Sequence, residues 1–175
     1  MQILYVHASK YGNGEKVAAE FARQMAQRYV DVTIRHVRDV KANRLMDADL
    51  YVFSSPGRMG KPPRRVRRFL ANVQLPVGTR CAILATELAA QPNKKTGLIP
   101  TDEELARWRQ VVPIMHELLA TKGLVSVEEA TVQVTAVKGP LEPDWEQKVA
   151  DLVAKLPCPT PIAIPDPDRA QPERR

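Results

Sequence analysis

Apolar residues fall along the chain in two alternating rhythms. The first run, Ile3-Leu4-Tyr5-Val6, is continuously apolar, as expected of a central parallel strand covered on both faces. From Val17 the rhythm changes: Val17, Ala18, Phe21 and Met25 recur at helical spacing with charged residues between them. Residues 30–37 alternate apolar and polar, the signature of a half-covered strand near a sheet edge. In residues 49–53, Asp49 leads into Leu50-Tyr51-Val52-Phe53, again continuously apolar and expected in the interior. Pro62 and Pro63 suit a helix start, where a missing N–H costs nothing, and Val66, Phe69, Leu70 and Val73 supply the buried stripe.

The second half repeats the unit. Residues 81–85 read as an interior strand, and 86–100 as a long polar connection; a connection of that length in a compact domain is more often functional than accidental. Thr101-Asp102-Glu103-Glu104 is a capping box. After it Leu105, Trp108, Val111, Val112, Met115, Leu118 and Leu119 form one long apolar stripe, in which Pro113 should kink or divide the helix. Residues 130–137 read as a last strand. Trp145, Val149, Leu152 and Val153 mark a last helix, and both tryptophans are expected in the core.

Five βα units in one chain of 175 residues predict a single α/β domain over 1–156, a doubly wound five-stranded parallel sheet with helices on both faces. The remaining 157–175 are rich in proline and charge and are expected to be disordered. In such sheets ligands bind beyond the carboxyl ends of the strands, at the switch in strand order. Three loops therefore matter: 9–14, 54–61 and 87–97.

The first loop, Ser9-Lys10-Tyr11-Gly12-Asn13-Gly14, reads as an anion cradle. A strand passing through such a turn into a helix leaves backbone N–H groups unpaired and turns the positive end of the helix dipole outward. Its spacing is neither that of a P-loop nor that of a dinucleotide fold.

Other chemistry is thinly represented. His7, His36 and His116 are scattered without metal-ligand spacing, and no serine occupies a nucleophile elbow. Cys81 and Cys158 form no C-x-x-C pair, and no apolar stretch approaches the length of a membrane span, which points to reduced thiols and a cytoplasmic address. The net charge of +6 favours acidic partners. Arg58, Lys61, Arg64, Arg65, Arg67 and Arg68 cluster beside the second loop, as either a solvated helix face or a docking surface for an acidic partner. Nucleic acid is disfavoured, because no aromatic residues interleave with these charges.

The first loop and the stretch Phe53-Ser54-Ser55-Pro56 followed by Met59-Gly60 resemble the short-chain flavodoxins, FMN-binding electron carriers, over 1–156. The resemblance implies the strand order 2-1-3-4-5, noncovalent FMN and a redox partner protein. It assigns Ser9, Lys10, Tyr11, Gly12, Asn13 and Gly14 to the phosphate, Gly14 replacing a hydroxyl residue of the family pattern. Ser55, Pro56, Gly57, Arg58, Met59 and Gly60 would border one side of the ring, with Met59 packing on it and the Gly60 peptide facing flavin N5. Glu87, Leu88, Ala89 and Gln91 would border the other side.

Two departures stand out. Flavodoxins usually stack a Tyr or Trp on the ring from the third loop, and Glu87-Leu88-Ala89-Ala90-Gln91 has no aromatic residue. Leu88 or Gln91 would cover the ring instead, or the face stays open to an organic substrate. Familiar flavodoxins are also acidic, whereas the basic cluster here would stabilise a reduced, anionic flavin: a unit charge about 6 Å away contributes roughly 3 kcal/mol before screening. Two further readings stay open: a flavin-dependent oxidoreductase acting on a quinone or porphyrin-type substrate, and a flavin-free binding module using the basic face.

Overall fold

The computed structural model describes residues 1–157; the segment 157–175, expected to be disordered, lies, apart from Pro157, outside the described residues. Five parallel strands, β1 (Gln2–His7), β2 (Asp31–His36), β3 (Leu50–Pro56), β4 (Arg80–Leu88) and β5 (Val125–Val134), form one sheet in the order β2-β1-β3-β4-β5. The expected 2-1-3-4-5 order is therefore observed. β1, β3 and β4 occupy the middle, which is why their sequences are continuously apolar rather than alternating.

Each side of the sheet has its own core. On one, Ile3, Tyr5, Val52 and Leu84 pack against α1 (Asn13–Ala26) and α5 (Trp145–Lys155) through Val17, Phe21, Met25, Val149 and Leu152. Tyr5 and Phe21 meet there with ring centroids 5.1 Å apart. On the other, Val6, Phe53, Ile83 and Ala85 pack against α2 (Arg64–Ala71) and α4 (Val111–Ala120) through Val66, Phe69, Leu70, Val111 and Met115. Trp145 is partly buried against the first of these cores, as expected.

Three boundaries differ from the sequence reading. β4 runs on to Leu88, so Thr86 and Glu87 belong to the strand and not to the connection. β5 begins at Val125 instead of residue 130, with a register shift opposite Cys81 and Ala82. The bulge lies on the edge strand and interrupts the period-2 pattern, which hid the strand's first half. The third difference concerns the long helical stripe. It is divided, one of the two outcomes expected, into α3 (Asp102–Trp108) and α4, but the break lies at Arg109 and Gln110 and not at Pro113. Pro113 occupies the first turn of α4, a position that needs no N–H donor, so it starts a helix rather than kinking one. α3 buries none of its residues, and Trp108 is 47% exposed instead of lying in the core.

Candidate functional site

The carboxyl ends of β1, β3 and β4 open onto one cleft of about 430 Å³. Ten of the residues expected around the ligand line it: Ser9, Lys10, Tyr11, Asn13, Gly14, Pro56, Gly57, Arg58, Met59 and Leu88. Thr86, Trp108, Val134 and Val137 complete the lining and were not anticipated.

One end of the cleft is formed by the turn from β1 into α1. Gly12 caps α1 with φ +84°, a left-handed conformation that a Cβ would strain, and its N–H donates to Ser9 Oγ at 3.0 Å. The hydroxyl proton of Ser9 is thereby left free to donate outward. No side chain caps α1, and its ladder begins with Lys16 N–H bonding the Gly12 carbonyl at 3.0 Å. The first N–H groups of the helix therefore face the cleft with the helix dipole behind them. Gly14 is buried, and a Cβ there would lie 3.1 Å from the Ala8 carbonyl oxygen, a tight contact that would push the helix start a few tenths of an ångström away from β1. The Asn13 amide donates to the Lys138 carbonyl at 3.2 Å, tying the loop to the turn after β5.

Behind this loop sits His7, buried and edge-on to His36 at 5.1 Å between ring centroids. Its Nδ1 has no hydrogen-bond partner among the described residues. Burial, helped by the neighbouring His36, holds its pKa below the ordinary histidine value, so it stays neutral at pH 7.

The other end is an apolar slot. Arg58, Met59, Gly60 and Lys61 form a two-residue hairpin in which Arg58 N–H bonds the Lys61 carbonyl at 2.8 Å. Met59 and Gly60 both have positive φ, at 51° and 74°, the backbone of a type I′ turn. Holding a methionine there strains the backbone and leaves its side chain 83% exposed at the rim. Gly60 is buried against α3: a Cβ would fall 1.9 Å from the Trp108 carbonyl oxygen, and the Gly60 carbonyl accepts from Gln110 N–H at 2.7 Å. The hairpin and Trp108 are thus locked to each other. An aromatic residue does reach the cleft from the segment between β4 and α4, although none occurs in residues 87–91. The division of the stripe was the signal for it, since a Pro suited to a helix's first turn places Trp108 at the end of a separate short helix.

The other assigned residues lie outside the lining. Ser55 is fully buried and donates to the Pro56 carbonyl at 3.0 Å. Glu87 points to the opposite face of β4, buried beneath Gly57, with Arg109 Nε 3.9 Å from its Oε2. Burial raises its carboxyl pKa, while Arg109 and the Val111 backbone N–H pull it back. Ala89 and Gln91 line a neighbouring cavity of about 720 Å³, which meets the cleft at Leu88 and Trp108.

Arg58, Lys61, Arg64, Arg65, Arg67 and Arg68 are all exposed, and none forms an ion pair among the described residues. Arg64, Arg67 and Arg68 border a shallow groove with Ile114 and Leu118 of α4.

No protein-family model matches the chain, and no curated protein matches it. Solved structures do. A short-chain flavodoxin associated with a PDU bacterial microcompartment matches with a TM-score of 0.65 at 17% identity, over 89% of this chain and 96% of that one. The fold is flavodoxin-like. Oxidised Flavodoxin 2 from Bacillus cereus matches equally well, with a TM-score of 0.65 at 18% identity over 89% of this chain and 97% of that one. The same flavodoxin-like fold occurs as part of a larger chain in rubredoxin oxygen:oxidoreductase from Desulfovibrio gigas, at a TM-score of 0.58 and 16% identity, over 90% of this chain but 37% of that one. Among the described residues no helix is long and apolar enough to cross a membrane, and no group of three His, Cys, Asp or Glu could hold a metal ion.

Proposed function

We propose that the protein binds FMN noncovalently in the 430 Å³ cleft and passes electrons between protein partners. One observation carries this reading: the cleft joins an uncapped helix N-terminus, set close to β1 by Gly14, to an apolar slot walled by Trp108, Met59, Leu88 and Val134. A phosphate fits the first end and a planar ring system the second.

The chain's own groups divide the work. Ser9 O–H and the first N–H groups of α1 hold the phosphate, with Lys10 as a nearby cation. Trp108 and Met59 hold the ring, and the Gly60 hairpin fixes both in place. Leu88, Val134 and Val137 exclude water from the slot. Bound FMN would supply the redox chemistry, and the protein sets its access and electrostatics. The six exposed cations, of which Arg58 lines the cleft and the others follow it on the second loop and α2, dock an acidic redox partner, and Arg58 favours extra negative charge on the ring.

Reduced, FMN-loaded protein mixed with an acidic redox protein such as a cytochrome should transfer electrons at a rate that falls steeply as salt is raised. A flavin-loaded protein whose transfer rate is indifferent to salt would remove the docking role. Failure to take up FMN at all would remove the whole reading and leave a flavin-free binding module.

A further inference from the structure

The arginines of α2 stand where the helix gains nothing from them. Its 8 residues include Arg64, Arg65, Arg67 and Arg68, with no acidic residue in the first turn. The positive end of the helix dipole disfavours cations there, and like charges three or four residues apart repel each other. The surrounding sequence offers no relief: from residue 50 to residue 101 the one acid is Glu87, which is buried. A carboxylate brought from outside therefore removes a repulsion as well as adding an attraction.

Arg64, Arg67 and Arg68 form one wall of a groove of about 530 Å³ between α2 and α4, and its floor is apolar. Val66, Phe69 and Leu70 of α2 and Met115 and Leu119 of α4 take the core, which leaves Ala71, Ile114 and Leu118 only partly buried along the groove. Ile114 and Leu118 lie one turn apart on one face of α4, and the small Ala71 leaves room for a third row of side chains. The shape selects a helix. Both walls are helices whose backbone groups serve their own ladders, so an extended strand would find no free row of N–H and C=O groups, whereas a helix satisfies its own backbone. No aromatic residue lines the groove among the described residues, and Glu117 of α4 does. Both count against a nucleic acid, which lacks rings to stack on here and meets a carboxylate.

We propose that the groove between α2 and α4 docks an amphipathic helix of a partner protein, its apolar stripe on Ala71, Ile114 and Leu118 and its carboxylates on Arg64, Arg67 and Arg68. That the partner is acidic rests on the docking role proposed above; the helical form and the groove are additional to it, and neither depends on flavin.

The test is calorimetric titration of the full chain, with and without FMN, at low salt. The probe is a capped amphipathic helix of about 18 residues, with leucines on one face and glutamates beside them. A scrambled peptide of the same composition keeps the charge and loses the stripe, and an oligouridine serves as the polyanion comparator. Wild type should bind the amphipathic peptide with a dissociation constant on the order of 10 µM, and each comparator at least about tenfold more weakly. Reversing the wall, with Arg64→Glu, Arg67→Glu and Arg68→Glu together, should weaken the peptide at least about tenfold. Carboxylates suit the start of a helix, so this variant should keep its melting temperature. Ile114→Gln removes part of the floor with every arginine in place and should cost about fivefold. Peptide binding by a chain that takes up no FMN would keep the groove while removing the electron-transfer reading. Equal binding of the scrambled peptide, or undiminished binding by Ile114→Gln, would leave docking by charge alone and overturn the helix groove. Oligouridine binding as tight as the peptide's would overturn it in favour of nucleic acid, and no saturable binding of either peptide would overturn both the groove and the acidic docking role.

Discussion

Two stretches close the cleft, and they do so by opposite means. The turn from β1 into α1 is anchored in the interior: Gly14 is buried against the Ala8 carbonyl, and Val17, Ala18 and Phe21 follow in the core. The stretch from Ala89 to Gln110 has no buried residue and is held by surface bonds, chiefly Gln110 N–H to the Gly60 carbonyl and Arg109 to the Leu88 carbonyl at 3.2 Å. Geometry in the first region is a by-product of folding. In the second it depends on a few local contacts, so changes there should alter binding without altering global stability.

The most disruptive change should be Gly60→Ala. Its Cβ would meet the Trp108 carbonyl oxygen at 1.9 Å, and φ at +74° disfavours any side chain. The hairpin and α3 must part. FMN affinity should fall on the order of a hundredfold and proteolysis within 89–110 should accelerate, while the melting temperature shifts by only a few degrees. A large cooperative loss of stability would show that the segment belongs to the folding unit after all.

Ser9→Ala probes the anchored region. Losing one charge-assisted donor costs about 1.5–3 kcal/mol, or roughly ten- to a hundredfold in FMN affinity, with riboflavin affinity untouched. Equal losses for both ligands would mean that the loop does not hold the phosphate. Trp108→Ala probes the other region and should weaken both ligands alike, by about tenfold, with unfolding by denaturant unchanged.

Charge reversal is a finer instrument. Arg58→Glu with Lys61→Glu should lower the flavin midpoint potential and slow reaction with an acidic partner, and both effects should shrink as salt rises. An unchanged potential in protein that still binds FMN would separate the basic face from the cofactor.

The smallest effect is a pH dependence behind the slot. The folded state holds the Glu87 pKa above its unfolded value, so between the two values the folded chain binds more protons. Stability from this group is present at low pH and declines as pH rises through the carboxylate range. Relative to Glu87→Gln, wild type should therefore lose ground in chemical denaturation as pH rises above about 4, the ordinary glutamate value. A gap that widens in wild type's favour would mean that Arg109 outweighs burial.

The same contrast explains what could be read from the residues alone. Central strands and the turn of Ser9 and Gly14 were legible because burial imposes periodicity and because tight turns demand glycine, whereas the strand order came from the family resemblance. Trp108 was not, because its apolar neighbours Leu105 and Val111 continue a helical period across a break that only local backbone bonds create. Glu87 was assigned to a loop because polar composition looks the same in a loop and at a strand's buried end, where Arg109 makes the burial tolerable. Edge strand β5 was half missed for a related reason, since a bulge breaks the alternation that marks a strand.

The most direct test of the central claim is a paired titration of flavin-stripped protein with FMN and riboflavin, followed by flavin absorbance and fluorescence. The two ligands share the ring and differ in the phosphate, so their ratio isolates the α1 cradle from the Trp108 slot. We expect FMN to bind at least about a hundredfold more tightly than riboflavin. Equal affinities would contradict the phosphate assignment, and no binding of either would contradict the flavin site altogether.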